Sequence, residues 1–209
     1  MQIIAFVTQK GGSGKTTLAF CCVVAAQERG VKVLLLDMDA QGTADAWYQD
    51  REAETPQLAR VDAVHLTQAL EAAHAQGFDF VLLDTPGRDE PAIAAAVRAS
   101  DFCIIPCRPT PGDMKATPPT MATLKRLGKQ GTFVLTQTPA RGERVREAAE
   151  GLSVLGLVSP VRIVHRHAYQ DAQGRGQGVT EFEPRGKAAE EVRRLWAWII
   201  TQMEKHNGE

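Results

Sequence analysis

The 209-residue sequence has no apolar run close to the roughly 18 residues that span a bilayer. Its N-terminus has no basic segment followed by an apolar stretch and a cleavage site, so we expect no export signal. Its four cysteines sit in apolar stretches without a Cys-x-x-Cys pair, which favours buried, reduced thiols and a cytoplasmic protein. The four are Cys21, Cys22, Cys103 and Cys107.

Charge is distributed unevenly along the chain. Residues 1–104 carry 8 Lys and Arg against 14 Asp and Glu, whereas residues 105–209 carry 16 against 11. The second half is therefore net positive, although the whole chain has a formal net charge of −1. A basic face in that half would suit a polyanionic partner.

Short apolar runs alternate with helix-like segments. The predicted strands are 2–7, 33–37, 80–84, 102–106, 132–136 and 161–164, with 56–64 ambiguous. The predicted helices are 16–29, 40–51, 66–76, 91–99, 115–127, 143–155 and 185–205. Residues 165–184, rich in Gly, Gln and charge, are predicted to form a loop. The alternation predicts one α/β domain over residues 1–209, with a mostly parallel twisted sheet between two helical layers.

A glycine-rich segment joins the first predicted strand to the first helix. It reads Lys10-Gly11-Gly12-Ser13-Gly14-Lys15-Thr16-Thr17. Backbone N–H groups and the helix dipole converge at such a turn, which favours a triphosphate. Lys15 is then expected to reach the β- and γ-phosphates, and the Thr16 hydroxyl to coordinate Mg²⁺. The strict pattern G-x-x-x-x-G-K-[ST] is not met, because Gln9 occupies its first glycine position.

Two further apolar runs end in carboxylates. The first is Leu34-Leu35-Leu36-Asp37-Met38-Asp39-Ala40-Gln41-Gly42, and the second is Phe80-Val81-Leu82-Leu83-Asp84-Thr85-Pro86-Gly87. Alternation at a strand end should put Asp37 and Asp39 on the same side. Because parallel strands end at one edge of a sheet, these acids and the glycine-rich segment point to one crevice.

These segments together resemble the ParA/MinD superfamily of deviant-Walker P-loop ATPases, most closely the small plasmid-type ParA partition proteins, over nearly the whole chain. The resemblance implies that Lys10 reaches the nucleotide of a second subunit, so that ATP and Mg²⁺ close a sandwich homodimer. It implies that Asp39 orients and polarises the attacking water and that Asp84 holds Mg²⁺ through water. Asp37 would support the metal shell or the coupling to the dimer.

The sequence departs from the family pattern in two places. Ala40 replaces a proline, which should soften the turn without removing either acid. The resemblance also suggests base recognition after the strand 132–136 and near the late loop. Gln137, Thr138 and Pro139 lie there, but the asparagine usual in the family is missing.

The resemblance also implies macromolecular partners. Only nine residues precede the glycine-rich segment, which leaves no room for the helix-turn-helix of larger ParA proteins, so we expect no site-specific operator binding by this chain alone. The resemblance implies non-specific DNA binding on the nucleoid instead. Residues 108–175 carry 11 Lys and Arg against 5 Asp and Glu. The candidate phosphate contacts are Arg141, Arg144, Arg146, Arg162 and Arg166, with solvated helix charge as the alternative. A centromere-binding ParB-type protein would stimulate an ATPase that is weak alone, and assembly would end at dimers or continue to polymers.

A MinD-like spatial regulator on a membrane is the alternative function. The last predicted helix has an amphipathic stripe formed by Val192, Leu195, Trp196, Ile199, Ile200 and Met203. MinD-like proteins hold membrane with such a helix. The tail after Met203 has no basic cluster to favour anionic lipid, so we expect the stripe to pack on the sheet and no membrane partner.

Overall fold

The computed structural model describes residues 1–88 and 90–207. Its strands are β1 (Gln2–Phe6), β2 (Val33–Asp37), β3 (Gln57–Arg60), β4 (Phe80–Asp84), β5 (Phe102–Cys107), β6 (Gly131–Leu135) and β7 (Leu157–Val158). They form one sheet in the order β3-β2-β4-β1-β5-β6-β7, and each neighbouring pair is parallel. The predicted parallel sheet is therefore confirmed, and the ambiguous stretch contains its edge strand β3.

Helices cover both faces of this sheet. They are α1 (Lys15–Gln27), α2 (Thr43–Gln49), α3 (Leu66–Ala75), α4 (Glu90–Ala99), α5 (Pro111–Lys115), α6 (Thr117–Arg126), α7 (Glu143–Ser153), α8 (His167–Gln173), α9 (Val179–Phe182) and α10 (Lys187–Asn207). One apolar core joins the sheet to α1, α2, α8, α9 and α10, and another joins it to α3, α4, α6 and α7. This is the predicted three-layer α/β arrangement.

Burial on both faces explains the continuous apolar runs of the central strands. In β1, Ile4 and Phe6 belong to one core, whereas Ala5 belongs to the other. Successive side chains of a strand point to opposite faces, so each residue of such a run must be apolar. All four cysteines are buried free thiols, as expected.

The apolar stripe of α10 belongs to the core. Val192, Leu195 and Ile199 are fully buried, and the Trp196 ring meets the Phe80 ring edge-on at a centroid distance of 5.3 Å. The expected packing on the sheet is confirmed. Within residues 1–88 and 90–207, we find no helix with the length and apolarity needed to cross a bilayer.

Two predictions for the late part of the chain are wrong. Residues 165–184 are not a loop, because α8 and α9 form there around three buried anchors, Tyr169, Ala172 and Val179. The predicted strand 161–164 does not form either; the last strand is β7, and Val164 makes only an isolated bridge to Thr138. The Val161 N–H donates to Ser159 Oγ at 3.1 Å instead of to a carbonyl oxygen of β6, so the ladder is interrupted between Ser159 and Ile163.

The predicted helix 115–127 forms over most of its length as α6, and a short helix that was not predicted, α5, precedes it and ends at Lys115. The break follows Lys115, where the Thr117 hydroxyl donates to the Met114 carbonyl oxygen at 2.5 Å. Pro118 and Pro119 have no N–H to continue the ladder of α5, but they fit the first turn of a new helix, where N–H groups have no intrahelical acceptor.

Candidate nucleotide-binding site

The glycine-rich segment forms an open loop between β1 and α1. Gly12 and Gly14 have φ angles of +73° and +93°, which residues with a side chain rarely adopt. A Cβ atom added to Gly11 or Gly12 would meet nothing within 4 Å, so the loop borders free space. Since α1 begins at Lys15, the N–H groups of its first turn lie at the same place and are available to an anion.

The loop is held by contacts within the protein. The buried Ser13 donates its hydroxyl to the Lys10 carbonyl oxygen at 3.3 Å, and the Lys10 N–H donates to Thr8 Oγ1 at 3.3 Å. From the end of β6, Thr136 Oγ1 donates to the Ser13 carbonyl oxygen at 2.7 Å, and Gln137 Nε2 to that of Gly12 at 2.9 Å. Sequence reasoning missed Thr136, since no local pattern marks this contact.

Lys15 is largely buried, and it lies near Asp39, Asp84 and the loop after β4. Its Nζ lies 3.6 Å from the position that a Cβ of Gly87 would occupy, so the loop after β4 closes on the glycine-rich loop. Burial lowers the pKa of Lys15, and the negative charges of Asp84 and Asp39 partly offset this effect. The cation and both acids therefore lie within electrostatic range of one another.

Asp37 and Asp39 lie at the end of β2 in different surroundings. Asp37 is 1% exposed, and burial raises its pKa. Its two oxygens accept the backbone N–H groups of Asp39 at 3.0 Å and Asp45 at 3.2 Å. Asp39 is half-buried, and one of its oxygens accepts the Gln41 N–H at 3.0 Å.

Asp84 is completely buried at the end of β4, and neither of its oxygens completes a hydrogen bond with any residue in 1–88 or 90–207. Burial raises its pKa to about 7, and the nearby Thr16 hydroxyl opposes part of that rise without meeting hydrogen-bond geometry. A buried polar group without partners is costly unless a ligand satisfies it. A carboxylate and a hydroxyl at this spot are the hard oxygen donors that Mg²⁺ prefers.

Two cavities flank these groups. A cavity of about 1160 Å³ lies at the ends of β2 and β4 and is lined by Gly11, Asp37, Asp39, Arg60 and Gly87, among others. A cavity of about 140 Å³ lies on the other side of the first turn of α1. Its lining includes Thr17, Thr136, Gln137, His165, Arg166, Tyr169 and Gln170. The predicted site residues Thr17 and Gln137 thus border the late segment, which was expected to form a loop.

The five arginines predicted to contact DNA do not form one set of free cations. Arg146 pairs with Glu150 at 2.8 Å, and Arg162 donates to the Ala140 carbonyl oxygen at 3.1 Å. Arg166 pairs with Glu191 at 2.5 Å and borders the smaller cavity. Arg141 and Arg144 are exposed near the start of α7, and neither has an ion pair within residues 1–88 and 90–207.

Residues 4–179 match the sequence family described as the CobQ/CobB/MinD/ParA nucleotide binding domain. The chain is 30% identical over 212 residues to the maintenance of carboxysome distribution protein A of Gloeobacter kilaueensis, covering 98% of this chain and 94% of that protein. It is 28% identical over 244 residues to the chromosome-partitioning ATPase Soj of Thermus thermophilus, covering 97% and 96%.

The fold is shared with the septum site-determining protein MinD of Pyrococcus horikoshii, solved with Mg-ADP. The TM-score is 0.80 at 19% identity, with 95% of each chain covered. A glycine-rich loop, a buried cation and three acids at one sheet edge thus accompany a family match over most of the sequence. The chain therefore belongs to the CobQ/CobB/MinD/ParA family of nucleotide-binding domains, as a P-loop ATPase of the ParA/MinD type.

Proposed function

We propose that residues 1–209 form one ATPase domain that hydrolyses ATP to ADP and phosphate and uses the nucleotide to switch between a monomer and a homodimer. The buried Asp84 carboxylate carries this proposal. Its oxygens have no hydrogen-bond partner in the described chain, and it lies beside Thr16 and Lys15 at the mouth of an open anion-binding loop.

The glycine-rich loop and α1 would bind the phosphates. The N–H groups of residues 11–17 would surround the anion, and Lys15 would add a cation that is already desolvated. Thr16 and Asp84 would hold Mg²⁺, which neutralises charge on the β- and γ-phosphates when bound. Phosphoryl transfer then needs mainly positioning and charge neutralisation from the protein.

Asp39 is proposed to orient the attacking water. Its carboxylate is half-buried at the rim of the larger cavity, so it is open to solvent and close to the glycine-rich loop. Asp37 would support this role indirectly, because its bonds to the N–H groups of Asp39 and Asp45 fix the backbone on both sides of the turn. We therefore assign Asp37 to positioning.

Lys10 is proposed to act on the nucleotide of a second copy. Its backbone N–H is anchored to Thr8, while its half-exposed ammonium has no hydrogen bond or ion pair within residues 1–88 and 90–207. A free cation at the rim of an anion site is attracted to the γ-phosphate of a facing protomer. Since only ATP offers that charge, closure would depend on the nucleotide state.

Light scattering with Mg-ATP tests the proposed nucleotide-dependent dimerisation. The wild type should dimerise, Lys15→Ala should lose nucleotide binding, and Lys10→Gln should bind ATP but remain monomeric. Lys125→Gln, which removes the same charge from the exposed end of α6, serves as the control and should dimerise. Normal dimerisation of Lys10→Gln would refute the role across the interface, and an absence of Mg-ATP binding by the wild type would refute the ATPase.

We further propose that the dimer acts in DNA segregation. It would bind DNA without sequence preference, and a ParB-type protein at a centromere-like site would stimulate hydrolysis. Support comes from the Soj relative, which is named a chromosome-partitioning ATPase, and from the exposed arginines at positions 141 and 144. The apolar stripe of α10 is packed in the core, so it is not free to hold a membrane in this structure.

Co-sedimentation with random-sequence DNA tests the second part. Binding should require ATP, weaken steeply with salt, and fall in the double variant Arg141→Gln/Arg144→Gln. Arg194→Gln, an exposed charge change on α10, is the matched control and should bind normally. Equal DNA binding with ADP and with ATP would contradict a nucleotide-controlled switch. Assemblies larger than a dimer would show that ATP drives a polymer instead of a dimer.

A further inference from the structure

We propose that Thr136 and Gln137 form a clamp that holds the phosphate-binding loop in its receptive shape, and that Gln137 serves the loop rather than the base. This inference rests on the proposed nucleotide site and adds two positioning residues to it. The clamp is defined by two hydrogen bonds, Thr136 Oγ1 to the Ser13 carbonyl oxygen and Gln137 Nε2 to the Gly12 carbonyl oxygen.

Both clamp residues are themselves fixed. Thr136 is 3% exposed, and its N–H donates to the Cys107 carbonyl oxygen at 2.9 Å, which ties the end of β6 to β5. Gln137 has a φ angle of +49°, and no other non-glycine residue in 1–88 or 90–207 has a positive φ. This disfavoured conformation indicates that the surrounding contacts hold the residue in place.

The orientation of these bonds decides what the loop offers to an anion. In a planar trans peptide the carbonyl group of one residue points opposite to the N–H group of the next. Holding the Gly12 carbonyl toward β6 therefore directs the Ser13 N–H away from it, and holding the Ser13 carbonyl does the same for the Gly14 N–H. The clamp thus keeps two consecutive donors turned toward the open side of the loop.

Side-chain placement separates this role from base recognition. Gln137 lines the smaller cavity, but its amide nitrogen bonds to Gly12. A Cβ atom on Gly14 would lie 3.8 Å from that nitrogen and 3.9 Å from Thr136 Cβ, so the end of β6 packs directly on the loop. A clamp of this kind should matter equally for every ligand that carries the same phosphates, whatever its base.

Affinity measurements with three probes test the clamp. Mg²⁺ complexes of ATP, GTP and tripolyphosphate are titrated into the wild type, Thr136→Val and Gln137→Ala by calorimetry. Each variant should weaken binding of all three probes by a similar factor, on the order of tenfold, because a carbonyl group loses its donor and the loop loses its shape. Without nucleotide, the amide ¹⁵N chemical shift of Ser13 should change in Gln137→Ala and that of Gly14 in Thr136→Val, because the carbonyl group of the same peptide loses its donor.

Thr132→Val is the matched control. Thr132 lies in β6 and is fully buried, but its hydroxyl donates to the Leu157 carbonyl oxygen at 3.2 Å instead of to the loop. This variant should bind all three probes within about twofold of the wild type and leave the ¹⁵N chemical shifts of Ser13 and Gly14 unchanged. Equal weakening in Thr132→Val would show general loosening and overturn the clamp.

The outcomes also separate this proposal from the ATPase proposal. If Gln137→Ala weakens ATP but leaves tripolyphosphate unchanged, the residue reads the base and the clamp is wrong. If the wild type binds none of the probes, the ATPase proposal fails, and the ¹⁵N chemical shifts of Ser13 and Gly14 alone then decide whether the clamp exists. If Thr136→Val does not fold, the exposed Gln137→Ala variant carries the same test.

Discussion

The ends of β2 and β4 carry two aspartates that are neighbours in register but have opposite surroundings. Asp37 and Asp84 face each other in the parallel ladder, and each is at most 1% exposed. The oxygens of Asp37 accept two backbone N–H groups, whereas those of Asp84 complete no hydrogen bond in the described chain. One acid is thus built into the backbone around it, and the other is available to a ligand.

Replacing Asp84 should have the largest effect on activity and little effect on folding. Asp84→Asn removes the carboxylate proposed to hold Mg²⁺, so ATP turnover should fall at least about hundredfold. Because the variant also removes a buried carboxylate whose oxygens complete no hydrogen bond in the described chain, its Tm without metal should equal or exceed that of the wild type. Phosphate release and thermal unfolding, each with and without Mg²⁺, measure both effects; normal turnover with a lowered Tm would reverse the assignment.

Replacing Asp37 should give the opposite pattern. Asp37→Asn keeps one acceptor oxygen but leaves one of two backbone N–H groups poorly paired, which costs on the order of 2 kcal/mol. For a chain of this size the Tm should drop by roughly 4–8 °C. Mg-ATP affinity should stay within about threefold, while turnover falls because Asp39 loses its support. An unchanged Tm in this variant would remove the distinction between the two acids.

Replacing Arg60, whose charge acts on Asp37, should change Tm and turnover less than replacing Asp37 itself. Burial raises the pKa of Asp37, and the charge of Arg60 opposes part of this rise; the guanidinium also donates to the Ala40 carbonyl oxygen at 3.3 Å. Because Arg60 is exposed, we expect Arg60→Met to lower the Tm by only about 1–3 °C and turnover by about threefold. Arg60→Lys should recover part of the turnover in the same assay. Loss of Mg-ATP binding in Arg60→Met would instead place this residue in the nucleotide site.

Ala40 should give the smallest effect. The Gly42 N–H donates to the Asp39 carbonyl oxygen at 2.9 Å, which closes a turn with Ala40 at its second position, where proline is favoured. Ala40→Pro should therefore raise the Tm by about 1–3 °C, and Ala40→Gly should lower it by a similar amount. A drop in Tm for Ala40→Pro would mean that the turn needs a different φ angle at this residue.

Sequence reasoning worked best where the determinants are local. The bounds of β2 and β4 were predicted to the residue, because strands buried on both faces appear as uninterrupted apolar runs. The glycine-rich segment indicates both the turn and the start of the helix that follows it. Asp37 and Asp84 are the last residues of those two strands, so their position at the same edge of the sheet could be predicted.

Long-range contacts could not be predicted in this way. The donors from β6 meet carbonyl groups more than a hundred positions earlier, and no spacing in the sequence encodes that meeting. Arg166 was predicted to be a free cation because its partner, Glu191, lies 25 residues later, on α10. The segment 165–184 was read as a loop because its few apolar anchors are separated by Gly and Gln, and their burial depends on packing against α1 and α10.

The sheet order has a consequence for how a ligand would couple to folding. β1 forms a seam: β3, β2 and β4 lie on one side, and β5, β6 and β7 lie on the other. Asp84 comes from the first half, whereas Thr136 and Gln137, which hold the phosphate-binding loop, come from the second. A ligand bound by Asp84 and by that loop would connect two halves that otherwise meet through one strand and its covering helices, so its binding energy should resist separation of the halves more than fraying of either outer edge.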